Sequence, residues 1–208
     1  MILMMGLTSH GMLAQKHDKL KSTIETMIPE IEPVIIEWRH YLHEHPELSN
    51  REYKTAEFVA EKLQGFGMEV TTGIAHTGVV GILKGGKPGP VIALRADMDG
   101  LPVRERVALD WASNVTGEFN GEEVPVMHAC GHDVHMSCLL GAARILNKLR
   151  AHWGGTVKLI FQPSEETAPG GARMMIEEGV LENPTPQAIF GQHVFVPLPA
   201  GKVGIRNG

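Results

Sequence analysis

The sequence predicts an α/β fold built on a largely parallel sheet, and two observations carry that expectation. Short apolar runs (residues 91–94, 156–161 and 188–191) alternate with stretches of helical periodicity. Strand–helix–strand alternation of this kind implies parallel pairing through crossover helices. Each apolar run is also followed at once by chemistry-bearing residues: Asp97 and Asp99, then Glu165 and Glu166, then His193. In parallel sheets, ligands bind outside the carboxyl ends of the strands.

The elements follow in chain order. Residues 16–43 read as helical: Ile24, Met27, Ile28 and Ile31 recur at steps of three and four, and Val34, Ile35, Trp38 and Leu42 continue the stripe. Pro29 and Pro33 are expected to interrupt this helix and Pro46 to end it. His40, His43 and His45 read as a polar helix end. A second helix is expected over 51–64, with Ala56, Phe58, Val59 and Leu63 inward and Gly65 as its stop. Residues 68–72, 79–83 and 91–95 then read as strands separated by Gly/Pro turns. Residues 104–123 look loop-like. A helix with Leu139, Ala142, Ala143, Leu146 and Leu149 on its apolar face follows, with Asp133 expected to cap it and Cys138 expected in the core. A strand over 156–161, a helix over 172–178, a strand at 188–191 and the start of another at 202–206 complete the chain.

Composition narrows the class. The chain has 208 residues, 43% apolar and 21% charged, as in an ordinary globular protein. A net charge of −5 with no Lys/Arg run gives no reason to expect nucleic acid. No apolar run is long enough to span a bilayer, so no membrane partner is expected. The two cysteines, Cys130 and Cys138, are too few for a disulfide framework. Residues 1–15 are set apart as a leader or partial signal segment and 16–208 as the folded portion. A cytoplasmic location is expected, with a periplasmic or secreted one open if residues 1–14 belong to a signal peptide.

The densest chemistry lies in residues 127–143, MHACGHDVHMSCLLGAA, which places Cys130, His132, Asp133 and His135 within six positions. Cys130 and His132 can face one cation if Gly131 turns the backbone between them. A thiolate beside an imidazole favours Zn or another late first-row ion. The pair is too small a ligand set alone, and the residues past the strand ends supply the rest. Of two adjacent carboxylates on a turn, one can bind a metal while the other takes a proton from water and passes it to a leaving amine.

The segments LHEHPELS, RADMDGLP, MHACGHD, FQPSEE and GQHV, in this order over residues 39–206, resemble the metal-dependent amidohydrolases of the aminoacylase and carboxypeptidase superfamily, in the branch of hippurate hydrolases, N-acyl amino acid amidohydrolases and auxin-conjugate hydrolases. The resemblance implies a zinc-peptidase-like, three-layer α/β/α catalytic domain. It implies two divalent ions, Zn or Mn, with Co or Ni also admissible. It matches Cys130, His132, Glu166 and His193 to metal ligands, Glu165 to the general base, and Asp97 to the acid that orients a ligand from behind. Asp99 and Asp133 are expected to support the loops. The implied substrate is an N-acyl amino acid; a dipeptidase or carboxypeptidase of the same superfamily, or a non-catalytic metal-binding module, are the alternatives. The chain departs from the family pattern by ending where a lid domain is expected. With that lid and dimerisation domain absent, the catalytic domain is expected to be incomplete, to expose an apolar sheet edge and some core face, to be weakly active or inactive alone, and to fold weakly, aggregate or dimerise; the missing lid domain is where a homodimer of the longer protein would form.

Overall fold

The structure is a computed structural model that describes residues 6–205, with side chains from residue 18 onward. The main sheet has five strands in the order β1-β2-β6-β3-β7. These are β1 (Glu69–Ile74), β2 (Gly78–Lys84), β3 (Lys87–Asp97), β6 (Gly154–Gln162) and β7 (Ala188–Gly191). β6, β3 and β7 are parallel neighbours, whereas β1 and β2 add antiparallel pairs at one side. The sheet is thus mixed, and its parallel part carries the candidate residues.

Three helices cover one face: α1 (Gly6–Glu44), α2 (Tyr53–Gly65) and α3 (His132–Lys148). Their inward residues Trp38, Leu42, Val59, Leu63, Met136, Leu140 and Ala143 pack on Val79, Leu83, Val157, Leu159 and Phe161. Period-two alternation sends Val80, Ala93 and Ile160 to the opposite face, where Met175 of α4 (Gly171–Glu177) and Val180 cover them. The result is the expected three layers. Fully burying each such aliphatic side chain contributes roughly 1.5–3 kcal/mol, which holds α3 firmly behind the sheet edge.

Several local expectations are corrected. Pro29 and Pro33 lie inside an uninterrupted α1; each removes one backbone donor, and packing of the Ile31, Trp38 and Leu42 face outweighs that loss. Residues 104–123 are not all loop: β4 (Thr116–Phe119) and β5 (Glu122–Pro125) form a hairpin. Its two-residue turn is Asn120-Gly121, both at positive φ (55° and 83°), the geometry that Asn-Gly favours. Asp133 does not cap α3; Gly131 occupies the cap position, and the Asp133 carboxylate turns toward α1. Cys138 is exposed because it falls outside the Met136, Leu140 and Ala143 stripe. Residues 202–205 form no strand, and 206 lies outside the described residues. Residues 6–15, read as leader, are helical; residues 1–5 lie outside the described residues. Along β7, Ile189 and Phe190 are exposed, which meets the expectation of an apolar edge.

Candidate metal centre

β3 ends at Asp97, β6 at Gln162 and β7 at Gly191, so three adjacent parallel strands deliver Asp97, Glu165/Glu166 and His193 to one edge. α3 begins at the same edge with His132. Gly131, at φ 84°, makes the turn between Cys130 and His132. A Cβ there would also meet Val194 Cγ2 at 2.3 Å, so only glycine lets the 193–194 segment approach.

Two groups of donor atoms converge, each with all its atoms within 4.8 Å of one another: Cys130, His132 and Glu166, and Asp97, His132, His135 and His193. His132 belongs to both. Its Nδ1 donates to the backbone carbonyl of Asp99 at 2.8 Å, which leaves Nε2 as the free lone pair. That Nε2 is buried, has no hydrogen-bond partner, and lies 3.8 Å from Glu166 Oε1 and 3.9 Å from Glu165 Oε2. Glu166 Oε1 is likewise buried without a partner. His193 repeats the arrangement: Nδ1 donates to the Val194 carbonyl at 2.6 Å, and Nε2 lies 3.6 Å from Cys130 Sγ.

These atoms fit a divalent cation. A lone pair facing a carboxylate oxygen leaves two acceptors with no proton between them, and buried acceptors left unpaired are costly. The Cys130 thiol is pushed up to about 12 by burial and then by Glu166, Glu165 and Asp97. Only a cation amid those carboxylates makes the thiolate the stable form there. Glu165, 41% exposed at its side chain, faces the open side, whereas Glu166 at 22% sits deeper.

Asp97 and His135 are spent on each other. His135 Nδ1 donates to Asp97 Oδ1 at 2.6 Å, and His135 Nε2 accepts the Val194 N–H at 2.9 Å. Arg95 holds Asp97 Oδ2 at 2.5 Å. Burial alone would raise the Asp97 carboxyl; the His135 hydrogen bond and the Arg95 charge outweigh it and hold the group well below the usual range. Asp97 therefore stands 3.7 Å from His132 Nε2 as a fixed carboxylate, while His132 itself is anchored by Asp99.

Sequence reasoning gives no role to His135, and it places Asp99 only among the loop supports. His135 lies three residues after His132, hence on the same helix face, and that spacing is readable. Asp99 is a hub. Its carboxylate accepts the N–H of Glu165 and of Glu166, both at 3.0 Å, and the Ser49 hydroxyl at 2.6 Å. His132, whose Nδ1 lies 3.4 Å from Oδ1, and these bonds together outweigh its burial and lower its pKa. His43 is not an exposed polar end: it is buried, with Asp133 2.9 Å from Nδ1 and Glu105 3.2 Å from Nε2. Beside Glu166 opens a cavity of about 300 Å³ lined by Leu48, Leu101, Pro102 and Phe119, with Arg51 and Thr167.

Residues 93–208 match the model of Peptidase family M20/M25/M40. The chain belongs to this family. It is 43% identical over 188 residues to an N-acyl-L-amino acid amidohydrolase of Geobacillus stearothermophilus, a match covering 90% of this chain and 48% of that protein. It is 45% identical over 193 residues to thermostable carboxypeptidase 1 of Saccharolobus solfataricus, covering 92% and 46%. The crystal structure of the Bacillus subtilis YXEP protein, a dinuclear metal-binding peptidase of the M20 family, superposes with a TM-score of 0.77 at 42% identity, covering 86% of this chain and 47% of that one. The chain thus spans about half the length of the relatives it matches. Its α/β layers are those of the family's solved structures. Among the described residues, no helix is long and apolar enough to cross a membrane.

Proposed function

We propose that this chain carries the metal-binding and proton-transfer groups of a metal-dependent amidohydrolase that cleaves the amide bond of N-acyl amino acids. The observation that carries the reading is the unpartnered, buried His132 Nε2, aimed at Glu166 and flanked by Cys130.

Cys130, His132, Glu166 and His193 would hold the ions, Zn or Mn, two by likeness to the dinuclear neighbour. When bound, such ions polarise a carbonyl and acidify water. Glu165, on the open side, takes the proton of the attacking water and delivers it to the leaving amine nitrogen. Asp97, Asp99 and His135 act through other residues and are positioning groups. The cavity beside Glu166 offers apolar walls to the part of the substrate that does not react.

The carboxypeptidase relative keeps a second reading in view, cleavage of a peptide rather than an acyl amide. Both are tested by one assay: hydrolysis of N-acetyl- and N-benzoyl-amino acids against dipeptides. It uses the Zn- or Mn-loaded chain, alone and fused to the remainder of the Geobacillus relative. Acyl amides are expected to be the better substrates, with Glu165→Gln abolishing turnover while the ion stays bound. Preference for dipeptides would favour the second reading. Turnover that survives Glu165→Gln would defeat the proposed role of that residue.

A further inference from the structure

We propose that residues 49–52, the loop joining α1 to α2, form a positioning element of the metal centre, with buried Glu52 as its anchor and Ser164 as its point of action. The inference rests on the reading of Glu165 and Glu166 given above.

Ser164 immediately precedes the carboxylate pair and adopts φ 49°, in the left-handed region that a side-chain-bearing residue seldom occupies. Such a conformation persists where the surroundings over-determine it, and here they do. The Ser164 N–H donates to Glu52 Oε1 at 2.8 Å. Its carbonyl accepts the Gly171 N–H at 2.8 Å. Its hydroxyl accepts from Asn50 Nδ2 at 3.0 Å and donates to the Thr167 carbonyl at 3.2 Å. Two of these four bonds come from the 49–52 loop. The same loop supplies Ser49, which donates to Asp99 Oδ2 at 2.6 Å and accepts from Thr167 Oγ1 at 3.0 Å.

Glu52 is fully buried, and its other oxygen takes the hydroxyl of buried Thr77 at 2.5 Å, between β1 and β2. A buried carboxylate is costly unless its bonds are needed, and an apolar side chain would fill this space without that cost. The carboxylate ties the β1–β2 turn to the end of β6 and fixes the direction in which the chain leaves it. Glu165 and Glu166 follow at once, with their own N–H groups fixed by Asp99. The loop contributes no candidate ligand, yet it touches both groups that aim the pair.

Zinc affinity tests this, measured by competition with a chromophoric chelator on the purified chain. Co(II) absorption serves as a second signature of the ligand set, and far-UV circular dichroism checks the fold. Glu52→Ala is expected to weaken zinc binding about tenfold or more and to shift the Co(II) spectrum, with helix content unchanged. Glu52→Gln is expected to rescue to within about threefold, since its amide oxygen can accept from Ser164 and its NH2 can donate to the Thr77 hydroxyl. Wild-type affinity in Glu52→Ala would overturn the proposal, as would a Glu52→Gln as weak as the alanine variant. If Glu52→Ala does not fold, Asn50→Ala replaces it, and unchanged affinity and Co(II) spectrum there would overturn the proposal equally. Failure of the wild-type chain to bind zinc, or binding indifferent to Glu166→Gln, would instead sink the metal reading itself and this inference with it.

Discussion

The backbone carbonyl of Asp99 holds His132 Nδ1 at 2.8 Å while the Asp99 carboxylate holds the N–H groups of Glu165 and Glu166. One residue thus sets the tautomer of an imidazole and the position of both acidic side chains. An amide at this position can accept on only one of its two terminal atoms. Asp99→Asn is therefore expected to lose roughly 10- to 100-fold in zinc affinity with every candidate ligand still present. Competition titration against a chelator reads this directly, and an unchanged affinity would remove Asp99 from the site.

His135 and His193 stand in the same donor group but have different prospects. Both ring nitrogens of His135 are engaged, by Asp97 and by the Val194 N–H. His193 Nδ1 is tied to a carbonyl, and its Nε2 meets only the Cys130 thiol, at 3.6 Å, itself a candidate ligand. Zinc binding should accordingly be weakened by His135→Ala but largely lost in His193→Ala. Equal losses would mean that His135 is itself a ligand.

His128 supplies a pH dependence. It is buried, neither ring nitrogen has a protein partner, and desolvation pushes it down from 6.5 to about 4. A base with a lowered folded pKa leaves the unfolded chain binding more protons between those values, so stability falls as pH drops from about 6.5 to about 4. The full swing is on the order of 3 kcal/mol. Urea midpoints of His128→Gln across that window should decline less steeply than those of the wild-type chain; parallel curves would contradict the assignment.

The β4–β5 turn places Gly121 at φ 83°, with open space where a side chain would stand, so only backbone conformation opposes substitution. Gly121→Val is expected to cost about 1–2 kcal/mol, and Asn120→Gly very little. Denaturant midpoints check both.

Much of the fold is legible because its signals are local. The apolar runs at 91–94 and 156–161 have to be buried strands, and acids directly after them have to meet at one edge. The hairpin is also written in the sequence, in Asn120-Gly121, but its strands are short and mostly exposed, so no apolar alternation announces it. Bonds across long sequence separations cannot be read this way. Glu52 to Ser164 spans 112 positions, and His43 to Asp133 spans 90. Periodicity has nothing to say about such pairs. Asp97 and Asp99 illustrate the limit: two residues apart in one motif, Asp97 at the end of β3 engages His135 with its carboxylate, while Asp99, just past that end, holds His132 with its backbone carbonyl.

Metal content decides most directly whether Cys130, His132, Glu166 and His193 form one centre. The purified chain is incubated with Zn or Mn, desalted and subjected to elemental analysis beside Glu166→Gln and His193→Ala. Retained metal in the wild-type chain, reduced in both variants, is the expected result. A chain that retains no metal, or variants that retain as much as the wild type, would contradict the centre described above.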